Sequence, residues 1–217
     1  MKTCDQKKIT ILIADDHPLT LQGIRAMLEK AHDLQIIGEV EDGAQIKPMV
    51  AALHPAVLLL DLKMPNLSPS ELERWVRANH PETITLVLTA HDRDAYLANM
   101  MDAGAAGYLD KKLRAGQLIA AIRRAARGEI LFDKEQIERV ARWQKEVKQR
   151  WESLSEREQV VLQMLTEGAD NKNIANALQI TANTVEKHLT NIYKKLGIAS
   201  RAEAMRWWFE KGGDFRN

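Results

Sequence analysis

The chain reads as an α/β unit followed by an all-α unit, and three observations carry that reading. Short apolar runs alternate with amphipathic stretches in the first half: Ile9 to Ala14, Val57 to Leu60, Ile84 to Leu88 and Gly107-Tyr108-Leu109. Continuous β-branched and leucine runs of this kind describe a parallel sheet covered by helices on both faces. From Trp151 onward the runs give way to helix caps and stops, the punctuation of a small helical unit.

Each apolar run ends on polar side chains: Asp15-Asp16 after the first, Asp61 after the second, Thr89 after the third and Lys111 after the last. Open α/β sheets bind ligands at the carboxyl ends of their strands, so these residues are expected to meet at one edge. The chemistry that suits them is phosphoryl transfer to a carboxylate. Three acids brought together repel one another unless a cation compensates, and Mg2+ is the hard ion that oxygen ligands favour. Asp61 is then the nucleophile, Asp16 holds the ion directly and Asp15 through water, Lys111 pairs with the remaining phosphoryl oxygens, and Thr89 donates its hydroxyl to the new phosphate.

These residues sit in Ala14-Asp15-Asp16-His17-Pro18, Leu60-Asp61-Leu62-Lys63-Met64-Pro65, Leu88-Thr89-Ala90 and Gly104-Ala105-Ala106-Gly107-Tyr108-Leu109-Asp110-Lys111, and with them residues 9 to 127 resemble the receiver domain of a bacterial two-component response regulator. The resemblance implies a doubly wound, flavodoxin-like sheet of five parallel strands and phosphotransfer from a partner histidine kinase to Asp61. It further implies that Thr89 and Tyr108 are the switch pair and that the Lys63 backbone carbonyl joins Asp16 and Asp61 on the metal. The side chains of Lys63 and His91 take positions that border the phosphate in receivers. One departure stands out: Ser68-Pro69 replaces the usual Asp-Gly pair after Met-Pro, which suits a changed loop leading into a helix near Ser70 to Asn79.

Composition agrees with two domains and no membrane span. The 217 residues are 45% hydrophobic and 28% charged, with 31 Lys and Arg against 30 Asp and Glu, enough chain for two cores. Met1 to Lys8 lacks the apolar segment of a signal peptide, and a cytoplasmic location is expected. The lone cysteine, Cys4, rules out an internal disulfide framework. The six histidines show no paired metal-ligand spacing and are read as surface or packing residues.

After Gly128, which is expected to end the last helix of the α/β unit, Asp133 to Glu152 is rich in alternating charge. Ile137, Val140, Trp143 or Gln144, Val147 and Trp151 recur there every three or four residues, as on an amphipathic helix. The expected organisation is a phosphoacceptor domain over 1–128, a helical linker over 129–150 and an all-helical domain over 151–217.

In that last segment Ser155 and Glu158 form a capping box, Gly168 supplies a stop, and Asp170 or Asn171 caps a short helix through Leu178. Gln179-Ile180-Thr181 turns the chain, Thr181 caps a helix to Leu196, Gly197 ends it, and Ser200 with Glu203 caps a final helix through Ala204 to Trp208. This is helix-turn-helix spacing inside a four-helix unit. In its third helix Val185, Leu189, Ile192 and Leu196 share one face, leaving Asn183, Lys187, Thr190, Asn191 and Lys194 on the other, a hydrogen-bonding surface suited to a major groove. Lys172, Thr184, Lys195 and Arg201 are placed for phosphate contacts.

Trp151-Glu152-Ser153-Leu154-Ser155-Glu156-Arg157-Glu158, Asn171-Lys172-Asn173-Ile174-Ala175, Thr184-Val185-Glu186-Lys187-His188-Leu189 and Lys195-Leu196-Gly197 resemble the LuxR/NarL-type DNA-binding domain. The resemblance implies a regulator that binds promoter DNA as a homodimer, with Glu186, Lys187 and Thr190 reaching base edges. Glu186 stands where many relatives have lysine, so base preference is expected to differ. An enzymatic role is not expected: a phospho-aspartate hydrolase would want an acid at position 63, which is lysine, and a dinucleotide oxidoreductase would want a glycine-rich turn after the first strand. The serious alternative is a phosphorylation-independent regulator or adaptor that keeps the receiver as a dimer scaffold.

Overall fold

The computed structural model describes residues 8–90 and 93–210. The chain divides into two compact units, one up to Ile137 and the other from Glu138.

In the first unit strands and helices alternate strictly. β1 (Ile9–Ala14) leads to α1 (Pro18–Leu28), β2 (Leu34–Val40) to α2 (Ile46–Leu53), β3 (Val57–Leu60) to α3 (Pro69–Asn79), β4 (Ile84–Thr89) to α4 (Asp94–Ala103), and β5 (Gly107–Asp110) to α5 (Ala115–Ala125). All pairings are parallel and the strand order is β2-β1-β3-β4-β5. Since β1 and β3 are neighbours while β2 lies outside β1, the winding reverses between β1 and β3, and the crevice of such a sheet opens there.

Alternation along the strands sets the two faces. Ile11, Ile13, Val57, Leu59, Leu86 and Leu88 cluster with Leu21, Ile24 and Leu28 of α1 and Leu118, Ile122 and Ala125 of α5. The alternate residues Leu12, Leu58, Leu60 and Val87 are buried as well. Each fully covered aliphatic side chain contributes about 1.5–3 kcal/mol of transfer free energy, so a sheet covered on both sides is a rigid platform for what its ends carry. The sequence reading does not single out β2. Its interior residues are only partly covered and it lies at the sheet edge, so no continuous apolar run marks it.

The departure at Ser68-Pro69 is resolved locally. Asn66 takes a left-handed φ of 55° and donates through its amide to both Asp42 carboxylate oxygens at 3.0 and 3.2 Å. Asparagine tolerates that conformation, and Pro69 opens α3 with its fixed φ. Gly43 closes the same contact, donating to the Pro65 carbonyl at 2.9 Å; a Cβ there would stand 2.7 Å from Leu67. The loop carrying Lys63 is thus pinned from outside.

α5 ends at Ala125, ahead of Gly128, whose φ of 83° completes a turn beyond the helix. α6 (Lys134–Glu152) is the expected long helix, with Val140 and Val147 buried, but Ile137 is 51% exposed and does not belong to the covered stripe.

The second unit holds α7 (Glu156–Thr166), α8 (Asn171–Leu178), α9 (Ala182–Leu196) and α10 (Arg201–Glu210). Ser155 and Glu158 make the capping box, Asp170 accepts from the Asn173 amide, and Thr181 accepts from the Thr184 amide. The last start differs in detail: the Glu203 carboxylate reaches back to the Ala199 amide at 2.7 Å, while Ser200 Oγ accepts from the Glu203 amide at 3.2 Å. Val185, Leu189, Ile192 and Leu196 join Val161, Leu162, Leu165, Ile174 and Trp207 in one core. Among the described residues no helix is long and apolar enough to cross a membrane.

Candidate phosphoacceptor pocket and nucleic-acid interface

Register brings the acids together. Ala14 pairs with Leu60, and the Asp61 amide donates to the Ala14 carbonyl at 2.8 Å, so Asp15 and Asp61 leave the sheet side by side at the point where the winding reverses. Leu60 pairs with Val87 and Thr89 with Asp110, which sets Thr89 and Lys111 on the neighbouring ends, and the Lys111 amide donates to the Thr89 carbonyl at 3.1 Å.

The Lys111 ammonium lies 2.6 Å from Asp15 Oδ2 and 3.0 Å from Asp61 Oδ2, while Asp61 Oδ1 accepts from the Leu62 amide at 2.9 Å. Both oxygens of Asp61 are therefore fixed. Its side chain is 3% exposed and that of Asp15 is 2% exposed. Burial alone would lower the Lys111 pKa, but hydrogen bonding and attraction from Asp15 and Asp61 more than offset it and hold the ammonium above the usual lysine value.

One cation does not balance three carboxylates. Asp16 Oδ1 is buried and makes no hydrogen bond among the described residues, while His17 Nδ1 stands 2.8 Å from it, in ion-pair range. The His17 amide donates to Asp15 Oδ1 at 3.0 Å. Asp15, Asp16, His17 and Asp61 can each turn one ligand atom into a group whose members lie within 4.8 Å of one another. An orphaned carboxylate oxygen among excess acids is what a hard divalent ion satisfies, so the donor set fits the expected cation. His17 is the member that sequence reasoning passed over; its place directly after Asp15-Asp16 was the available signal.

Thr89 is 2% exposed and Tyr108, across from Val87 on β5, is 5% exposed. The Tyr108 carbonyl accepts from Gln136 Nε2 at 2.9 Å. The Lys63 side chain is exposed, whereas its neighbours Leu62 and Met64 are buried. His91 lies outside the described residues.

The other candidate surface is built on a single helix. Asn183, Glu186, Lys187, Thr190 and Asn191 line a groove of about 420 Å³ on α9, and Lys194 is exposed one turn on. Thr190 donates its hydroxyl to the Glu186 carbonyl at 2.9 Å, and the Thr184 hydroxyl is engaged with that of Thr181 at 2.8 Å. Lys172 on α8 is exposed.

Two cations expected at phosphates also make bonds within the unit. Lys195 Nζ bonds Glu158 Oε2 at 2.7 Å, and Arg201 donates to the Ala169 carbonyl and, at 3.3 Å, to Asn171 Oδ1. Lys195 follows Ile192 by one turn and adjoins Leu196, so it borders the buried stripe rather than the outer face. Burial would raise Glu158, but Lys195 and the Ser155 donors hold its carboxyl below the usual glutamate value.

Comparison with known proteins agrees with both halves. Residues 11–123 match the response regulator receiver domain family and residues 152–208 match the luxR family of bacterial regulatory proteins. The chain is 32% identical to a nitrate/nitrite response regulator protein homolog of Haemophilus influenzae, over 95% of this chain and 99% of that one. It is 30% identical to the response regulator protein VraR of Staphylococcus aureus, over 93% and 97% of the two chains. Among solved structures it resembles RcsB from Salmonella enterica serovar Typhimurium bound to promoter rprA in the presence of the phosphomimetic BeF3-, with TM-score 0.63, 26% identity and coverage of 92% and 98%. A receiver fold with its acidic pocket and a luxR-family helical unit in one chain place this protein among the bacterial response regulators.

Proposed function

We propose that this protein is a transcription regulator whose promoter binding is set by phosphorylation of Asp61. The division of labour is 1–128 for phosphate acceptance, 129–150 as helical linker and 151–217 for DNA, acting in the cytoplasm and without enzymatic turnover of its own. The observation that carries the reading is the doubly anchored Asp61 carboxylate, with Lys111 at one oxygen and unneutralised acid beside it.

A phosphohistidine on a partner kinase is the donor. An Asp61 oxygen attacks phosphorus, a P–O bond forms, the P–N bond breaks, and the imidazole leaves and takes up a proton. Asp16, Asp61 and the Lys63 carbonyl would hold Mg2+, with Asp15 acting through water, and the ion would supply positive charge that offsets the acids. Lys111 follows the phosphoryl oxygens, and the Thr89 hydroxyl donates to one of them. The new charge and acceptor oxygens bias the Thr89–Tyr108 pair between two arrangements. That bias favours homodimers, and two linked readers on adjacent half-sites gain affinity through effective concentration.

On α9, Lys187, Thr190 and Asn191 meet base edges together with Glu186, whose carboxylate accepts from cytosine N4 and repels phosphate. Lys172, Lys194 and the region of Thr184 face the backbone. RcsB, a relative of similar architecture, has been seen on promoter DNA with a phosphomimetic, which supports the order of events.

Incubation of the full chain with acetyl phosphate and Mg2+ tests the first step. The expected result is one hydroxylamine-sensitive phosphoryl adduct on Asp61, seen by mass spectrometry and absent from Asp61→Asn. An unmodified Asp61 under these conditions would reduce the protein to a phosphorylation-independent DNA-binding regulator.

A further inference from the structure

At the opposite end of the same sheet, ahead of β3 and β4, three more donor side chains converge. His54 Nδ1 lies 3.3 Å and His80 Nδ1 3.5 Å from the same oxygen, Glu82 Oε1. The three ligand atoms fall within 4.8 Å of one another. A tetrahedral ion with nitrogen and oxygen ligands about 2.0 Å away spaces those ligands about 3.3 Å apart, so the two nitrogen–oxygen separations already match the edges of a metal polyhedron.

The backbone holds these donors in place. His54 closes α2 in a left-handed conformation with φ 45°, and its amide donates to the Val50 carbonyl at 2.9 Å. His80 closes α3, its amide donating to the Val76 carbonyl at 2.7 Å. The buried Thr83 clamps the two loops, its hydroxyl donating to the Pro55 carbonyl at 2.7 Å while its amide donates to the His80 carbonyl at 2.9 Å. The Trp75 ring packs at 5.1 Å on His80 and walls one side, leaving the His80 side chain 11% exposed, whereas His54 and Glu82 are 61% and 53% exposed. Both histidines stand at helix C-termini, where the aligned peptide dipoles favour a cation.

We infer that His54, His80 and Glu82 form a three-ligand site for a divalent transition-metal ion of the zinc class, with water in the fourth position. Two imidazoles and one carboxylate suit a borderline ion and offer little to Mg2+, which keeps oxygen ligands and waters. The inference is independent of the phosphoacceptor reading, because the acidic pocket lies at the other ends of these strands. Bound metal would join the ends of α2 and α3 across the start of β4 and stabilise the folded receiver unit by mass action.

The test titrates Zn2+ into the full chain against a chromophoric chelator, with excess Mg2+ present to occupy the acidic pocket. Wild type and Asp61→Asn should take up one Zn2+ with equal affinity, and His54→Gln and Glu82→Gln should each weaken it by at least about tenfold. Because His80 is largely covered, His80→Gln is checked by circular dichroism before titration, and the exposed His54 and Glu82 carry the decision. In wild type the same ion should shift the side-chain NMR resonances of His54 and His80. Zinc uptake that is absent from wild type, or that survives both His54→Gln and Glu82→Gln, would overturn the inference.

Discussion

The two units handle charge in opposite ways. In the receiver unit like charges are forced together under cover: Asp15 and Asp61 share one lysine, and neither Asp16 Oδ1 nor the two oxygens of the fully buried Glu73 make a hydrogen bond among the described residues. In the helical unit the buried acid is satisfied: Glu158 accepts from the Ser155 amide and hydroxyl and from Lys195. The first arrangement stores electrostatic tension that a cation or a phosphoryl group can relieve. The second is inert and holds the outer face of α9 steady. A switch needs the former and a reader the latter.

The largest effect expected from breaking this contrast is at Lys111. Lys111→Met leaves two covered carboxylates facing each other, and the rate of labelling by acetyl phosphate should fall by about a hundredfold. Intact-mass kinetics at fixed Mg2+ measure it, and a rate within threefold of wild type would show that the lysine only fills space.

Next come the reader's outward residues. Lys187→Ala or Asn191→Ala should cost about 1–3 kcal/mol of specific DNA binding and relax base preference, whereas Lys172→Ala should weaken all sequences alike and lower the salt slope by about one. Fluorescence anisotropy across a salt series separates the two classes. Lys195→Ala should leave the salt slope unchanged, since its ammonium is held by Glu158.

The smallest effects lie in the buried glutamates and carry opposite signs with pH. Glu158 is held below its ordinary value of 4.5, so its contribution is fully present above that pH and is lost as pH falls through the lower folded value. Lys195→Met should reduce this loss and cost about 1 kcal/mol at neutral pH, a figure kept low because the lysine is 38% exposed. For Glu73, burial raises the carboxyl, and the Thr85 hydroxyl, near it but outside hydrogen-bonding geometry, and the Arg77 charge offset part of the rise. The penalty therefore applies above the raised value and is relieved as pH falls through it towards the unfolded one. Glu73→Gln should stabilise the receiver unit by about 1 kcal/mol at neutral pH and abolish that gain on acidification. Denaturant unfolding followed at Trp75 for the receiver, and at the remaining tryptophans for the helical unit, reads both.

Legibility in the sequence follows the same divide. Strand ends announce themselves because an apolar run stops on a polar side chain, so Asp15, Asp16, Asp61, Thr89 and Lys111 could be placed at one edge from the sequence. Caps at Ser155 and Thr181 were legible because a short polar side chain before a periodic segment has one local use, while the cap of α8 was narrowed to Asp170 or Asn171 and the structure places it at Asp170. What stayed hidden depends on contacts between distant segments. β2 lies at the edge with a partly covered interior and shows no apolar run. Lys195 and Arg201 carry the charge of phosphate contacts, and only the packing of α9 against α7 and of α10 beside Ala169 brings them to Glu158 and the Ala169 carbonyl. His54, His80 and Glu82 lie on three separate turns, and nothing in their spacing foretells that they meet.

The central claim is that a phosphoryl group on one covered carboxylate alters how a helix surface engages DNA. Its most direct measurement is the affinity of the full chain for a site obtained by selection from random duplexes, with and without acetyl phosphate, for wild type and Asp61→Asn. The account predicts at least about a tenfold tightening for wild type and none for the variant. Equal affinities for phosphorylated and unphosphorylated wild type would contradict it.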